Sequence, residues 1–338
     1  MNTSTVLGYA ALEKGDTLTP LKLEPPELKD NEIRIAITHC GICGTDLQGI
    51  DDYYYITKYP FVPGHEIVGL VVEVGKSVSR SRLGQRVGVG WQGRACRQCE
   101  WCQRGLVNLC KDVVDNATWK PYGGFSTSIV VDSDFAYLLP DQIPSPEAAV
   151  LMCAGITVYA ALKNNRKPHR QVIGITGIGG LGHLAIQFAR AMGYEVTAIS
   201  TSPEKKEEAL ALSAHDFMVL SDVEAQRKYN YFFDFLVCTS HGQVDWETML
   251  DLLKRRGEVI LTGFPDMNFR PIDITVHELA IRGSFIGTQE DMKEMLLFAQ
   301  EHAIKPMIEQ LPMSQVDNAI QKVRENKARY RIVLYNDL

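Results

Sequence analysis

The sequence predicts an α/β protein in two parts, a compact β domain followed by a doubly wound parallel sheet. Three observations carry this. Short strands punctuated by glycine and proline dominate residues 1–150, strands and helices alternate from Gln171 onward, and a glycine-rich turn joins the first of those later strands to a helix. With 338 residues the chain is long for a single core, so a division into two domains is expected.

Composition is that of a globular protein, 45% hydrophobic and 22% charged. The net charge of −6 repels the phosphates of nucleic acid and of anionic membranes, so neither is expected as a partner. No apolar run approaches the ~20 residues of a membrane-spanning helix. The start, Met1-Asn-Thr-Ser-Thr-Val-Leu-Gly8, lacks the basic lead and apolar core of a secretion signal, and the cytoplasm is the expected compartment.

In the β half, residues 32 to 38 alternate apolar and polar as a half-buried strand does, and residues 67 to 74, 86 to 90 and 124 to 131 read as further strands of a barrel-like domain. The first strand runs into Cys40-Gly-Ile-Cys-Gly-Thr-Asp46. Together with Pro63-Gly-His-Glu66, this stretch offers the Cys43 thiolate, the Thr45 hydroxyl, the His65 imidazole and two carboxylates, Asp46 and Glu66. A metal that does chemistry needs few protein ligands and an open position. Cys43 and His65 supply two ligands, and Cys153, in Leu151-Met-Cys-Ala-Gly155, is the candidate third. It falls inside a helix expected from Glu147 to Lys163 that links the two halves, which would set the site in a cleft between them. Taken alone, Cys153 reads as a small core residue beside Leu151 and Met152, as Cys40 and Cys238 do.

Between the third and fourth strands stand Cys96, Cys99, Cys102 and Cys110, spaced C-x2-C-x2-C-x7-C. Short gaps let thiolates converge on one tetrahedral ion, and four sulfurs close its coordination, which is the pattern of a structural zinc. An iron–sulfur cluster is the chemical rival. A disulfide framework would suit a small secreted chain better.

The second half opens with a buried strand over residues 172 to 176, followed at once by Gly177-Ile-Gly-Gly-Leu-Gly182 and a helix from Leu181 to Met192. In such a turn Gly177 bends the chain, Gly179 lets backbone approach a pyrophosphate, and Gly182 allows close helix–strand packing. Gly180 and Leu181 lie at the helix start, whose amides hold phosphate. The next strand, residues 195 to 199, ends in Ser200-Thr-Ser-Pro-Glu-Lys205. An NAD site places an acidic residue there. Ser200, Thr201, Ser202 and Lys205 suit the 2′-phosphate of NADP instead. Ser202 also reads as the N-cap of a helix from Pro203 to Leu212. Strands over 232–238, 258–262 and 281–286, with a helix over 246–254, complete the sheet. A helix (290–302), a strand (305–309), a helix (314–325) and a strand (331–335) follow.

These motifs together resemble the zinc-dependent medium-chain dehydrogenases, and specifically the cinnamyl alcohol dehydrogenase-like, NADP-dependent branch. Cys40-Gly-Ile-Cys43, Tyr59-Pro60, Val62-Pro-Gly-His-Glu66, Val87-Gly-Val-Gly-Trp91, the four cysteines, Cys153-Ala-Gly-Ile-Thr-Val-Tyr159, Gly177-Ile-Gly-Gly-Leu-Gly-His183, Ser200-Thr-Ser202 and Arg329-Tyr-Arg-Ile-Val-Leu334 carry the resemblance, in family order. It implies a GroES-like catalytic domain over 1–147 and 289–338 with a structural-zinc lobe at 91–111, and a Rossmann domain over 148–288. It implies two zinc ions, NADP(H) and a small alcohol or aldehyde substrate. By the same resemblance Cys43, His65 and Cys153 are the catalytic zinc ligands, Glu66 approaches the metal when substrate is absent, and Asp46 orients His65. Thr45 is the proton-relay hydroxyl, and Arg331 reaches the cofactor phosphates. Relatives with a full relay commonly carry histidine where this chain has Gln48, and histidine or arginine at Gly44. Relatives pair through the last Rossmann strand, so a homodimer is expected. Trp91 and Trp119 are the candidate pocket walls for an aromatic or medium-chain substrate. Two rivals stand beside this reading. A polyol or amino-alcohol dehydrogenase would carry the acidic strand end absent here. A non-catalytic NADPH-binding protein would not need all three ligands.

Overall fold

Two main sheets organise the chain, one in each of two compact units. The structure, a computed structural model, describes residues 5–116, 122–167, 169 and 171–338. The first unit comprises Met1–Cys153, Thr288–Gln300 and Pro306–Leu338, and the second comprises Ala154–Gly287 and Glu301–Lys305.

In the first unit the strands run in the order Ile308–Pro312, Arg331–Tyr335, Glu32–Gly41, Glu66–Val74, Arg86–Val89, Tyr137–Leu138. The long strand Glu32–Gly41 carries Ser128–Asp132 along its first half and Arg331–Tyr335 along its last three residues. Its isoleucines, Ile33, Ile35 and Ile37, alternate into a core shared with Val71, Val87, Phe61, Phe125 and Leu334. This strand outruns the expected residues 32–38 because Cys40 and Gly41 still pair with Ile67 and Glu66, so the ladder delivers the chain directly to Cys43. The strand expected from Gly124 starts at Ser128. The amides of Gly123, Gly124 and Phe125 are given instead to the carbonyls of Val62, Gly64 and Pro63. The strand expected at 305–309 forms at Ile308–Pro312, beyond Pro306, on the sheet edge where a terminal proline forfeits no ladder bond. A hairpin of Val6–Ala10 and Thr19–Leu23, which alternation did not single out, completes the strands that flank this core.

The second unit is a six-stranded parallel sheet in the order Asp216–Val219, Glu195–Ser200, Val172–Thr176, Phe233–Cys238, Leu253–Leu261, Ala280–Gly283. The order reverses beside Val172–Thr176, and the crevice at the carboxyl ends of these strands is where such sheets take ligands. Asp216–Val219 and the helix Val223–Lys228 were not expected; a strand of four residues, of which only Met218 is buried, is too short for periodicity to register. Leu253–Leu261 begins five residues early, with an irregular register against Phe233–Cys238, so the helix expected to reach Lys254 stops at Asp251. The helix expected from Pro203 opens as a 3₁₀ turn, Pro203–Lys205, before Lys206–Ala211.

The helix expected from Glu147 to Lys163 is not regular. It is α-helical over Ser145–Val150 and Ile156–Lys163 and widens to a π turn at Leu151–Gly155, around Cys153. At 19 residues, with a window of mean hydropathy 1.4, it is long and apolar enough to cross a membrane by length and composition, although Ser145, Glu147 and Lys163 keep it from being one apolar run. However, 78% of that 18-residue window is buried in protein, as in a core helix.

Candidate active site and metal centres

Cys43, His65, Glu66 and Cys153 bring one ligand atom each to within 4.8 Å of one another. Cys43 precedes the helix Gly44–Ile50, and Asp46 in the first turn accepts the Cys43 amide on Oδ2 at 2.8 Å. The other carboxylate oxygen accepts the Gly64 amide at 2.9 Å and His65 Nδ1 at 2.8 Å. One fully buried carboxylate thus ties both ligand-bearing segments together. Two glycines make room. Gly64 has φ +106° and a Cβ there would sit 2.7 Å from the Phe125 amide, while a Cβ at Gly41 would strike Glu66 Oε2 at 2.0 Å. Cys153 arrives from the π turn, a widened helical turn of the kind that recurs at functional sites. Its depth is set by Met152, whose carbonyl and sulfur occupy the space that side chains at Gly90 and Gly88 would need.

Electrostatics couple the group tightly. The Cys43 and Cys153 sulfurs lie 4.0 Å apart; this contact pulls the Cys43 thiol well down against its burial and pushes Cys153 well up. Burial disfavours charge on His65, yet Asp46 and the Cys43 sulfur hold its pKa well above the ordinary imidazole value. Burial pushes Glu66 up to about 7 against the pull of Arg331, which is ion-paired to it. Because Asp46 takes the Nδ1 hydrogen, Nε2 is left to accept, and it is buried with no hydrogen-bond partner. Two sulfurs and an imidazole whose buried Nε2 has no partner fit a zinc ion.

The second group is the lobe. Cys96, Cys99, Cys102 and Cys110 also converge within 4.8 Å. Backbone amides already point at the sulfurs, Cys96 N at Cys110 Sγ (3.2 Å) and Cys99 N at Cys96 Sγ (3.4 Å). Amide contacts, that of Cys102 foremost, lower the Cys99 thiol to about 6, and burial raises Cys102 to about 12. Four sulfurs without a carboxylate or imidazole suit a closed, structural tetrahedral site.

In the second unit the glycine-rich turn has the geometry its sequence implies. Gly177 has φ +83°, a Cβ at Gly182 would meet the Gly177 carbonyl at 2.0 Å, and the space over Gly179 is open. Thr239, at the end of the neighbouring strand, holds the turn by its hydroxyl on the Thr176 and Gly177 carbonyls.

Comparison with known proteins now bears on this arrangement. Residues 29–141 match the alcohol dehydrogenase GroES-like domain and residues 180–301 the zinc-binding dehydrogenase domain. A probable mannitol dehydrogenase of Mesembryanthemum crystallinum is 38% identical, over 97% of this chain and 93% of its own. A cinnamyl alcohol dehydrogenase structure from Sorghum bicolor superposes with TM-score 0.91 at 36% identity, covering 98% of this chain and 97% of that one. The chain belongs to the zinc-dependent alcohol dehydrogenases. Within them it falls in the cinnamyl alcohol dehydrogenase-like branch, and it is an oxidoreductase. The structure of CAD from Helicobacter pylori complexed with NADP(H) is also similar, with TM-score 0.89 at 29% identity over 98% of each chain.

Several expected side chains of this dehydrogenase are engaged in ways the sequence did not indicate. Arg331 is buried against Glu66. Ser202 stands at the N-cap position but makes no capping bond; its amide donates to Ser200 Oγ at 3.0 Å. Lys205 reaches back to the Ile178 carbonyl at 2.7 Å and so grips the glycine-rich turn. Gln48 accepts the Tyr54 hydroxyl at 2.7 Å, a pairing that no local pattern signalled. Thr45 Oγ1 lies 3.7 Å from the Cys43 sulfur. Trp91 is half-buried at the head of the lobe, and Trp119 lies outside the described residues.

Proposed function

We propose that this dehydrogenase uses NADP(H) to interconvert a primary alcohol and its aldehyde, aromatic or medium-chain, with two zinc ions per chain, and that it works in the cytoplasm as a homodimer. The convergence of Cys43, His65 and Cys153, with Nε2 buried and unpartnered, carries this reading. The domain assignment belongs to the same proposal: residues 1–147 and 289–338 catalytic, 91–111 the structural lobe, and 148–288 for the cofactor.

Cys43, His65 and Cys153 would hold the catalytic ion, with Glu66 as an exchangeable fourth ligand, and Cys96, Cys99, Cys102 and Cys110 the structural one. When bound, zinc polarises a carbonyl oxygen and acidifies an alcohol, and the nicotinamide carries the hydride. The protein does the rest. Asp46 fixes the His65 ring and its tautomer. The Thr45 hydroxyl, beside Cys43, holds the proton exchanged with the substrate oxygen. Gln48 cannot take that proton onward as a titrating base would. Arg331 neutralises Glu66, and its Nε, buried without a partner, is left for the cofactor phosphates. The open space over Gly179 and the helix start at Gly180, Leu181 and Gly182, set by the turn at Gly177, would receive the pyrophosphate, and Ser200, Thr201, Ser202 and Lys205 the 2′-phosphate. Trp91 and Trp119 would wall the substrate.

For the dimer, Ala280–Gly283 is an edge strand in the second unit, and Ile272, Val276 and Phe285 close to it in sequence are exposed. A polyol dehydrogenase on the same scaffold is the second reading, favoured by the mannitol dehydrogenase relative and opposed by the hydroxylated end of Glu195–Ser200. A panel of aldehydes and polyols, assayed with NADPH and NADH alongside zinc analysis, separates the two. Aromatic aldehyde reduction with NADPH at two zincs per chain is expected. Polyol oxidation with NAD as the best activity, or one zinc, would overturn the proposal.

A further inference from the structure

One cluster of positive charge in the second unit has no part in the reaction described above. A cavity of about 480 Å³ is lined by Arg166, Lys167, His169, Gln171, Met192, Gly193 and Tyr194. It lies where the chain enters Val172–Thr176 and Glu195–Ser200, that is, at the amino ends of these strands. The glycine-rich turn leaves the opposite end of Val172–Thr176, about 17 Å away for five residues of strand. The cavity is therefore separate from the crevice that takes the cofactor.

Three features make it rich in cations and donors. Arg166, Lys167 and His169 are exposed, and none forms an ion pair with a carboxylate among the described residues, in a chain whose net charge is −6. Gln171 is 1% exposed, and its carbonyl is fixed by the Lys167 amide at 2.7 Å, which orients its Nε2 as a donor. That nitrogen has no partner. A buried amide nitrogen without an acceptor is costly unless something supplies one. The Tyr194 hydroxyl is spent on the Leu162 carbonyl, so its ring and Met192 give an apolar wall. Gly193, at φ +88° with nothing within 4 Å of where its Cβ would be, leaves the mouth open.

We propose that this cavity is a second ligand site, which binds the phosphate group of a small phosphorylated molecule through Arg166, Lys167, His169 and the Gln171 amide. Cationic side chains lining one cavity with a neutral donor are what a multiply charged oxyanion requires, and the volume is that of a small-molecule pocket. Phosphate of this kind comes free or on a nucleotide. Both present the same oxyanion, and the apolar wall would add affinity only for the second.

The test is calorimetric titration of pyrophosphate into the NADP-saturated protein, so that the cofactor crevice is already filled. One saturable site is expected, weakened at least tenfold in the Arg166→Ala/Lys167→Ala double variant and unchanged in Ser200→Ala. Gln171→Leu is expected to weaken binding as well. Because it also removes an acceptor from the loop, the exposed double variant decides if Gln171→Leu fails to fold. ADP binding tighter than pyrophosphate assigns the site to nucleotides, and equal affinity assigns it to free phosphates. Absence of a saturable site, or binding that survives the double variant or is lost in Ser200→Ala, overturns the proposal.

Discussion

Replacing Asp46 with asparagine tests whether one buried carboxylate organises the catalytic metal group. Its two oxygens serve three donors: the Cys43 amide at 2.8 Å, the Gly64 amide at 2.9 Å and His65 Nδ1 at 2.8 Å. An amide keeps one oxygen. Facing Gly64 and His65, it would turn its NH2 on the Cys43 amide, donor against donor; reversed, it would strand two N–H groups. One buried unsatisfied donor costs about 1–3 kcal/mol, and Asp46 is 0% exposed, so water cannot relieve it. Loss of the negative charge also lowers the basicity of Nε2. Changes at such supporting residues typically weaken metal binding 10–100-fold, about 1.4–2.8 kcal/mol. The assay is zinc retention during chelator dialysis, with kcat/KM for aldehyde reduction measured in parallel. Asp46→Asn is expected to lose zinc toward one per chain, because the four-cysteine lobe lacks any bond to Asp46, and to lose activity in proportion. Zinc retention like the wild type, with kcat/KM within twofold, would refute the reasoning.

Other outcomes follow from the same geometry. Cys43→Ala and His65→Ala are expected to abolish turnover while NADPH binding, followed by its fluorescence, stays within a few-fold; loss of cofactor binding would contradict separate roles for the two units. Ser200→Asp puts a carboxylate where a 2′-phosphate would lie, and the ratio of NADP to NAD efficiency is expected to fall at least tenfold; an unchanged ratio removes the argument from the strand end. Gly179→Ala is expected to fold normally but bind NADPH weakly, because the added methyl enters open space. Gly182→Ala, whose methyl would meet the Gly177 carbonyl at 2.0 Å, is expected to lower thermal stability as well. Equal melting temperatures for the two would contradict this. In the second unit, burial raises the Asp216 carboxyl, but Lys228 and Tyr229 outweigh it and hold its pKa below the ordinary value. A depressed folded value stabilises above the ordinary carboxylate range and is lost as pH falls through the folded value. With the side chain 45% exposed, Asp216→Asn is expected to cost only about 1 kcal/mol at pH 7, and nothing once wild-type Asp216 is protonated. Urea unfolding at pH 7 and pH 3 measures the gap, and a gap independent of pH would rule the linkage out.

What the sequence determined, it determined where chemistry and spacing are local. Four thiols within fifteen residues can reach one ion without help from the rest of the chain, and the structure brings Cys96, Cys99, Cys102 and Cys110 together. The glycine turn was equally legible, because φ +83° at Gly177 and the close approach at Gly182 are demands that only glycine meets. The resemblance then placed the C-terminal strand with the first domain, which no local pattern could do; Arg331–Tyr335 pairs with Glu32–Gly41 some 290 residues earlier.

Tertiary structure decided the rest, since burial and orientation depend on partners distant in sequence. Cys153 was the candidate third ligand in the sequence, although on its own it read as a core residue; what sets it beside Cys43 is a π turn and the gaps at Gly88 and Gly90, which no local pattern showed. Arg331 and Glu66, 265 positions apart, share one ion pair, and Tyr54 takes up the carbonyl of Gln48. A side chain's partner is fixed by packing in three dimensions, whereas its capacity to ligate or donate is fixed by its own atoms. Capacity could therefore be read from the order of residues, and engagement could not.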